Sequence, residues 1–517
     1  VSGQGNNMRY EQYARLADGA WSMTDASSYE YDVENRWVKR TRANGRVYER
    51  MMTCCGPLWE RDENGVTTSY SYNTARQLVE TIRSAVTDGE TMITPETITS
   101  YTRDALGKIT SLRRDAGPMT TVESREYDLL GRLIRETDIL GRTTVRSYSG
   151  DGLVETVTTP AGATLITRKS PSGTVVRRYG TGQQDILYTV EATAEGIRTT
   201  EAVPGGEGGE PRVVTGSSTV NGFGDLVRIA AANTLNGENV RTLAYDDKGR
   251  LIREQLADMA PTLYAYDAFG NRTRAIVALE DEPTILNSRI TDYAYVAESR
   301  EDGIYRLVSI TSYTSSGTPV LQKQAVLLSA LSSVLAGKNV MTDPRGQDTV
   351  EWTEYGGGSV RLQKKTVPGV GSVALTRVVD GFTTAVTGFD GATARRQRTY
   401  TETGITYADT DVRGNVFTAV CDIAGRIISG TDAAGNTTTY AYAQPFDLPT
   451  CVTNALGKTA CSVYDIRGRK EAEWGTAIQP AVYAYDAAGH IVSLSTFRDP
   501  GDVITTDPRL RTDGDIT

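Results

Sequence analysis

Apolar and polar residues alternate along short stretches of the chain, and turn-forming residues separate these stretches. Thr144–Tyr148 (TVRSY), Leu251–Glu254 (LIRE) and Thr437–Tyr442 (TTTYAY) place apolar or aromatic groups on one face and Arg, Glu or Thr on the other. A period of two is typical of a half-buried β-strand. Thr, Val, Tyr and Ile also favour a pleated surface. The pattern therefore predicts many short β-strands.

One motif recurs between these stretches: an aspartate, two variable residues and a glycine. A type I β-turn favours Asp or Asn at its first position, where the side chain caps backbone N–H groups. It favours Gly at its fourth position, where a positive φ lets the chain re-enter the partner strand through a bulge. We interpret the aspartates as turn caps and not as catalytic groups. The turn motif includes Asp128–Gly131, Asp246–Gly249, Asp267–Gly270, Asp465–Gly468 and Asp486–Gly489, and Asn221–Gly224 is an asparagine copy.

The spacing of the turns indicates how the strands are connected. The glycines at 131, 141, 152, 162 and 173 follow one another at intervals of 10, 11, 10 and 11 residues. This interval leaves room for strands of about seven residues and tight turns, but not for crossover helices. The chain is therefore predicted to be all-β, a long antiparallel meander of hairpins, and a parallel α/β sheet is excluded.

Tyrosines also recur in Tyr-x-Tyr units just before a turn. Residues i and i+2 share one face of a strand, so each unit places two phenol rings side by side. We expect stacked hairpins to align these rings into structural ladders. The alternative is an exposed aromatic platform for sugars or an apolar chain. The candidate platform consists of Tyr264, Tyr266, Tyr440, Tyr442, Tyr483 and Tyr485.

Composition narrows the class of protein. The chain has 517 residues, 39% hydrophobic and 23% charged, with a formal net charge of −9. These proportions are those of a globular chain. Net acidity argues against a nucleic-acid partner and against binding to an anionic membrane surface. No run of about 18 apolar residues is present that could span a bilayer. The chain opens without Met or a signal peptide, which suggests a piece of a longer protein.

Residues that could carry chemistry are few. His490 is the only histidine, and it takes the position that Arg132 and Arg250 hold in sister repeats, so we interpret it as a solvent-side strand residue. We expect no catalytic site, no metal site and no cofactor, because no ligand spacing or nucleotide-binding motif is present. The chain is not expected to be an enzyme.

The five cysteines are irregularly spaced, and Cys54–Cys55 is a vicinal pair. Cys451 and Cys461 lie symmetrically about the Asn454–Gly457 turn, so they could form a cross-strand disulfide. Cross-strand geometry suits disulfides imperfectly. We therefore favour the other alternative, unbonded buried thiols.

Joined together, tyrosine, turn and following strand form one unit. Copies of this unit are YDLLGRL at Tyr127–Leu133, YDDKGRL at Tyr245–Leu251, YDAFGNR at Tyr266–Arg272, YDIRGRK at Tyr464–Lys470 and YDAAGHI at Tyr485–Ile491. The chain resembles the YD-repeat, or RHS-repeat, family. That resemblance implies a β-sheet strip that spirals into a hollow shell or part of one. In bacterial polymorphic toxins and insecticidal toxin complexes such shells enclose a C-terminal toxin, and related shells occur in teneurin-type adhesion proteins.

The resemblance also implies a function, a partner and a location. The expected function is a structural, encapsulating shell segment of a secreted or cell-surface bacterial protein. Its expected partner is a C-terminal toxin or effector segment that is absent from this chain. The alternatives are an extracellular adhesion or carbohydrate-recognition module that binds a glycan or cell-surface partner, and an enzyme on a repeat scaffold. Family members with a toxin carry a core segment with DPxG-type motifs and a self-cleavage aspartate after the repeats. Here Asp343–Gly346 (DPRG) lies mid-chain and is interpreted as one more turn, and Asp507–Leu510 (DPRL) lacks the glycine, so no protease residues are transferred.

The repeat also suggests how the chain is organised. Residues 1–28 are expected to form a non-repeat cap or leading strands, and residues 29–517 the repeat strip. A Gly/Glu/Pro-rich segment at 203–211 (VPGGEGGEP) is expected to be a long hairpin tip rather than a domain boundary. Repeats are faint at about 186–216 and 296–404, where atypical strands or insertions are expected.

Overall fold

A computed structural model describes residues 8–16, 20–204, 213–233, 237–279, 283–332, 334–443, 445–497 and 506–510. Within these ranges the regular structure is β-strand throughout, apart from one 3₁₀ turn at Pro508–Leu510. The prediction of an all-β chain is confirmed. The strands, numbered in chain order, are β1 (Arg9–Arg15), β2 (Trp21–Tyr31), β3 (Trp37–Arg42), β4 (Val47–Met52), β5 (Pro57–Arg61), β6 (Thr67–Tyr72), β7 (Leu78–Arg83), β8 (Val86–Asp88), β9 (Thr91–Thr94), β10 (Thr97–Arg103), β11 (Ile109–Ala116), β12 (Met119–Tyr127), β13 (Leu133–Thr137), β14 (Thr143–Tyr148), β15 (Val154–Thr158), β16 (Thr164–Lys169), β17 (Val175–Tyr179), β18 (Ile186–Thr193), β19 (Gly196–Val203), β20 (Val213–Val220), β21 (Leu226–Asn233), β22 (Gly237–Tyr245), β23 (Leu251–Leu256), β24 (Thr262–Tyr266), β25 (Arg272–Val277), β26 (Arg289–Arg300), β27 (Gly303–Tyr313), β28 (Pro319–Ala330), β29 (Leu335–Thr342), β30 (Asp348–Tyr355), β31 (Val360–Thr366), β32 (Ala374–Val379), β33 (Phe382–Thr387), β34 (Thr393–Thr401), β35 (Gly404–Thr410), β36 (Val416–Asp422), β37 (Ile427–Thr431), β38 (Thr437–Tyr442), β39 (Pro449–Thr453), β40 (Thr459–Tyr464), β41 (Lys470–Trp474), β42 (Ala481–Tyr485) and β43 (Ile491–Thr496).

The strands form one antiparallel sheet of 41 strands, in which each strand pairs with the next along the chain. The hairpin β8–β9 is the exception: it leaves the sheet, and β7 pairs directly with β10. Among the described strands, β1 and β43 each form a ladder on one side only, so the sheet is open. The predicted meander is therefore confirmed over the whole described chain.

A β-bulge flanks these repeat turns. Tyr127 lies opposite Leu133 and Glu126 lies opposite Arg135, so β13 carries one extra residue, Ile134, just after the turn. The same shift occurs beside Tyr266 and beside Tyr485. The bulge is thus a recurring part of the repeat hairpin.

The sheet is coiled. Among the described residues, eleven hydrogen bonds join residues that are 284 to 305 positions apart in sequence, among them Arg361 to Asn64 and Arg377 to Asp88. A strip in which neighbours pair only with neighbours can make such contacts only by returning on itself at a nearly constant interval. We call the line where one turn of the coil meets the next the seam.

The largest hydrophobic cluster lies across this seam. Val66, Val86 and Ile93 from the first turn of the coil pack against three residues from the second: Val360, Val379 and Phe382. Val86 and Ile93 belong to the hairpin β8–β9, so the hairpin leaves the sheet in order to fill the seam. Elsewhere most strand residues are only half-buried, as expected for a single sheet with two faces.

The regions with unusual sequence also belong to the strip. Near the N-terminus, β1 pairs with β2, and β2 pairs with β3 of the strip. The regions with faint repeats contain strands β18–β20 and β26–β35, among which β26 and β28 are the longest, at 12 residues. The predicted hairpin tip at 203–211 joins β19 to β20, which pair with each other, but residues 205–212 lie outside the described residues.

Candidate functional site

Each repeat turn is built around its aspartate. Asp246 Oδ1 accepts hydrogen bonds from the backbone N–H groups of Lys248 (3.0 Å) and Arg250 (2.9 Å), and Oδ2 accepts from Arg250 Nε (2.7 Å). Gly249 has a φ of 74° and donates its N–H to the Asp246 carbonyl. The carboxylate thus caps the turn and anchors the arginine that follows it. The same backbone cap is present at Asp128 and Asp465, and at Asp267, where Asn271 replaces the arginine.

The turn favours the ionised aspartate. The guanidinium of Arg250, followed by the Arg250 and Lys248 N–H groups, lowers the pKa of Asp246 below its usual value. In the last repeat His490 takes the place of this arginine, with its Nδ1 3.0 Å from Asp486 Oδ2 and its side chain 80% exposed. His490 is therefore a turn residue on the solvent side and has the same carboxylate partner as its arginine counterparts.

The arginine also joins one repeat to the next. The guanidinium carbon of Arg250 lies 5.0 Å from the ring centre of Tyr266, and the Tyr266 hydroxyl donates to the Leu251 carbonyl at 2.7 Å. Arg469, Tyr485 and Lys470 repeat this arrangement at 4.5 and 2.7 Å. Arg132 with Tyr148 and Arg426 with Tyr442 do so as well. At these four places an arginine therefore links the aspartate of its own turn to a tyrosine of the following hairpin.

The structure does not bring the six candidate platform tyrosines together as an aromatic ladder. Four aromatic ring pairs occur among the described residues, and none of them joins two of these tyrosines. The predicted ladder is corrected: guanidinium groups stack where neighbouring rings were expected, because a cation over a ring face is itself attractive. Stacked arginines lie over Tyr264, Tyr266, Tyr442 and Tyr485.

The hydroxyl groups of these tyrosines are mostly engaged inside the sheet. Tyr483 donates to Glu473 at 2.6 Å, and Tyr264 donates to Glu254 at 3.4 Å. The hydrogen bond to Glu473, together with burial, raises the pKa of Tyr483 to about 12. Tyr440 is half-buried. This arrangement leaves little free ring surface, and so it favours the structural role over a sugar platform.

Cys451 and Cys461 are direct partners in the register of β39 against β40. Their Cα atoms are 3.9 Å apart, and their sulfurs are joined in a disulfide. Our preference for free thiols at these two positions is therefore corrected: the Asn454–Gly457 turn places the two residues directly opposite each other. Cys54, Cys55 and Cys421 are free.

Charged pairs close the seam on either side of its apolar cluster. Arg377 binds Asp88 through two hydrogen bonds of 2.6 and 2.9 Å, and Arg83 binds Asp380 at 2.6 Å. The Arg377 guanidinium lowers the pKa of Asp88, outweighing partial burial. Sequence reasoning missed these residues, since the partners lie 289 and 297 positions apart. The only local signal was the missing turn motif between Arg76 and Asp104.

Grooves, metal-binding clusters and membrane-spanning helices are three other features that could indicate a function. One open groove of about 630 Å³ is lined by residues that include Lys338, Glu351 and Trp352. Within the described ranges, no three His, Cys, Asp or Glu side chains come close enough together to hold a metal ion. The same ranges contain no helix of the length and hydropathy that a membrane crossing needs.

Comparison with known proteins identifies the repeat and the fold. Residues 127–164 match the family model described as RHS Repeat, so the chain carries an RHS repeat. No curated protein matches the sequence. A similar solved structure is the Photorhabdus luminescens Tc holotoxin pore with a mutation in TccC3, at 10% identity and a TM-score of 0.51. The match covers 96% of this chain and 34% of that one.

A second similar structure is the crystal structure of TcdB2-TccC3, at 12% identity and a TM-score of 0.45, covering 95% of this chain and 30% of that one. The chain thus spans about a third of the length of these two chains. At such low identity, the likeness to the holotoxin chain is one of fold: a long antiparallel β-strip.

Proposed function

We propose that this RHS-repeat chain is a structural wall segment of a secreted bacterial shell that encloses or displays another polypeptide. The proposal rests on the contacts across the seam. Successive turns of the coil are sealed by ion pairs and an apolar cluster, as the wall of a container requires. The proposed occupant is a toxin or effector segment that follows this chain in its parent protein.

The proposal excludes an enzymatic role for the wall itself. The charged and phenolic side chains of the repeats stabilise the fold. Turn aspartates form ion pairs with arginines, and tyrosine hydroxyl groups donate hydrogen bonds to backbone carbonyls or to glutamates. The adhesion alternative would use exposed side chains at turn tips, such as Phe223 and Phe269, which are 94% and 92% exposed. Along the chain, the polar turn Asp246–Gly249 lies between these two tips.

Protease protection of the enclosed segment tests the proposal. The chain is expressed together with the polypeptide that follows it in the parent gene, and the digestion rate of that polypeptide is compared with its rate when it is expressed alone. A shell wall is expected to slow the digestion at least about tenfold, because proteolysis then needs opening of the shell. Digestion at the same rate in both cases would overturn encapsulation, and the adhesion alternative would then lead.

A seam variant provides the matched control. Arg377→Glu places two acidic groups opposite each other at Asp88 and should open the seam without touching any repeat turn. We expect this variant to lose the protection while keeping its β-sheet circular dichroism. Arg396→Glu removes an ion pair with Asp409 between neighbouring strands of one coil turn, and it should leave the protection intact.

A further inference from the structure

One turn on the strip differs from the repeat turns. Thr53, Cys54, Cys55 and Gly56 connect β4 to β5 at the place where the repeat would have an Asp-x-x-Gly turn. The turn is closed by a hydrogen bond from Thr53 N–H to the Gly56 carbonyl at 2.7 Å, and the Cys55 N–H donates to Thr53 Oγ1 at 3.2 Å. The two cysteines therefore occupy the two variable positions at the tip of a short, hydrogen-bonded hairpin turn.

Their sulfur atoms face each other. Cys54 Sγ and Cys55 Sγ are 3.1 Å apart, with Cys54 exposed and Cys55 half-buried. Adjacent side chains normally point apart along an extended chain, so the turn is what brings both thiols to one side. The other cysteines lie elsewhere in the sheet, since Cys421 is buried in β36 and the remaining two form the disulfide.

Neighbouring residues hold this turn from two directions. Arg36 donates to the Thr53 carbonyl at 2.7 Å and interacts electrostatically with Cys54. Tyr72 donates to the Pro57 carbonyl at 3.0 Å, and a Cβ at position 56 would collide with its hydroxyl, so only glycine fits there. These contacts fix the turn, so that the two thiols are held next to each other before any reaction.

We propose that Cys54 and Cys55 form a redox-active vicinal dithiol that closes reversibly to a disulfide and, in its reduced form, binds thiophilic ligands such as trivalent arsenicals. The proposal rests on the short distance between the two Sγ atoms in a preorganised, exposed turn. Cys54 is the attacking thiol because it is the exposed one. Cys55 is the resolving thiol, and the hydrogen bond to Cys54 raises its pKa.

The oxidant is a small-molecule disulfide, and the exchange balances in two steps. The Cys54 thiolate attacks one sulfur of the reagent, forms a mixed disulfide and releases one reagent thiolate. The Cys55 thiolate then attacks Cys54 Sγ and releases the second. Two protein S–H bonds and the reagent's S–S bond are lost, while one protein S–S bond and two reagent S–H bonds form. Two electrons pass from the cysteine sulfurs to the reagent.

The positions of the trypsin cleavage sites allow Cys54 and Cys55 to be assayed separately from the other three cysteines. Trypsin cleavage after Arg50 and Arg61 releases residues 51–61, MMTCCGPLWER, which contain both of these cysteines and no other. The reduced, folded chain is treated with oxidised glutathione, quenched, alkylated and digested. We expect this peptide without alkyl groups and two hydrogens lighter than its reduced form. Pre-treatment with phenylarsine oxide should also block its alkylation.

Cysteine variants and the urea-unfolded chain distinguish a preorganised dithiol from the ordinary reactivity of two adjacent thiols. Cys55→Ser should hold a stable mixed glutathione disulfide on Cys54, and Cys421→Ser should change nothing. Closure in the folded chain should be about tenfold faster than in concentrated urea, since the turn holds both thiols in place. Two alkylated thiols in the peptide after oxidation, or equal closure rates in the folded and unfolded chain, would overturn the proposal.

Discussion

The guanidinium of Arg469 stacks on the ring of Tyr485, with 4.5 Å between the guanidinium carbon and the ring centre. The same arginine binds Asp465 through its Nε at 2.7 Å. One side chain therefore links the turn of its own repeat to the tyrosine of the next. Because this arrangement recurs, much of the cohesion along the strip comes from arginine rather than from a thick hydrophobic core.

Replacing this arginine by lysine tests that interpretation. Arg469→Lys keeps the charge but loses the planar group that stacks and the Nε donor, and we expect a loss of about 1–2 kcal/mol in the free energy of unfolding. Urea denaturation would measure it. A double-mutant cycle with Tyr485→Leu should give a coupling energy of about 0.5–2 kcal/mol.

The control for this experiment is Arg413→Lys, at an exposed position within another repeat turn. It should be nearly neutral. If both lysine variants behave alike, or if the cycle shows no coupling, the stacking contributes nothing to stability.

A second prediction separates backbone strain from packing within a single turn. Gly224 has a φ of 93° and open space around its Cα, whereas Gly222, in the same turn, has equal space and no positive φ. Gly224→Ala should therefore destabilise by about 1–2 kcal/mol through strain alone. Gly222→Ala should be neutral or slightly stabilising. Equal thermal midpoints for the two variants would contradict the role given to the fourth turn position.

The local structure could be predicted from sequence because its causes are local. The aspartate cap, the positive φ at glycine and the bulge after Leu133 all arise within a few residues, so the repeat determines strand direction and turn type. His490 could be placed beside its turn for the same reason. The aromatic ladder was wrong because spacing alone does not distinguish a ring stacked on a ring from a ring stacked on an arginine such as Arg250.

The seam could not be predicted, since it depends on the curvature accumulated over many strands. Nothing near Asp88 in the sequence indicates a partner at Arg377, 289 residues away. The departure of the hairpin β8–β9 from the sheet, which fills the seam, is likewise a feature of the three-dimensional fold alone. The Cys451–Cys461 pair is an intermediate case: its register followed from the turn, but the bond itself did not.

A third prediction concerns these seam contacts. Arg377→Asp should destabilise the chain through repulsion with Asp88, by about 2–4 kcal/mol for a partly buried pair. The double variant Asp88→Arg, Arg377→Asp restores opposite charges and should recover most of that loss. Small-angle scattering should find the single variant expanded and the double variant compact. Failure of the swap to recover stability would mean that the pair does not hold the coil closed.

The final prediction is that the chain is stable between two pH limits, which we call the acid edge and the alkaline edge. At the acid edge the turn aspartates titrate. Hydrogen bonds from Arg250 lower the folded-state pKa of Asp246, and hydrogen bonds from Arg132 lower that of Asp128. Their contribution is present above the unfolded pKa of about 3.9 and is lost as pH falls through the lower folded value. Thermal midpoints should therefore drop steeply below about pH 4.

At the alkaline edge the sign is reversed, because the folded chain keeps tyrosine protonated. Burial, followed by a hydrogen bond with Glu60, raises the pKa of Tyr48 to about 12, and the bond to Glu473 does the same for Tyr483. Their contribution is complete below the unfolded pKa of about 10 and declines as pH rises from there to about 12. Tyr483→Phe should flatten this decline, and Asp246→Asn should weaken the acid dependence without moving the alkaline edge. A midpoint that stays constant from pH 9 to 12 would show that these hydroxyls are not held in the sheet as described, because exposed tyrosines would titrate equally in both states.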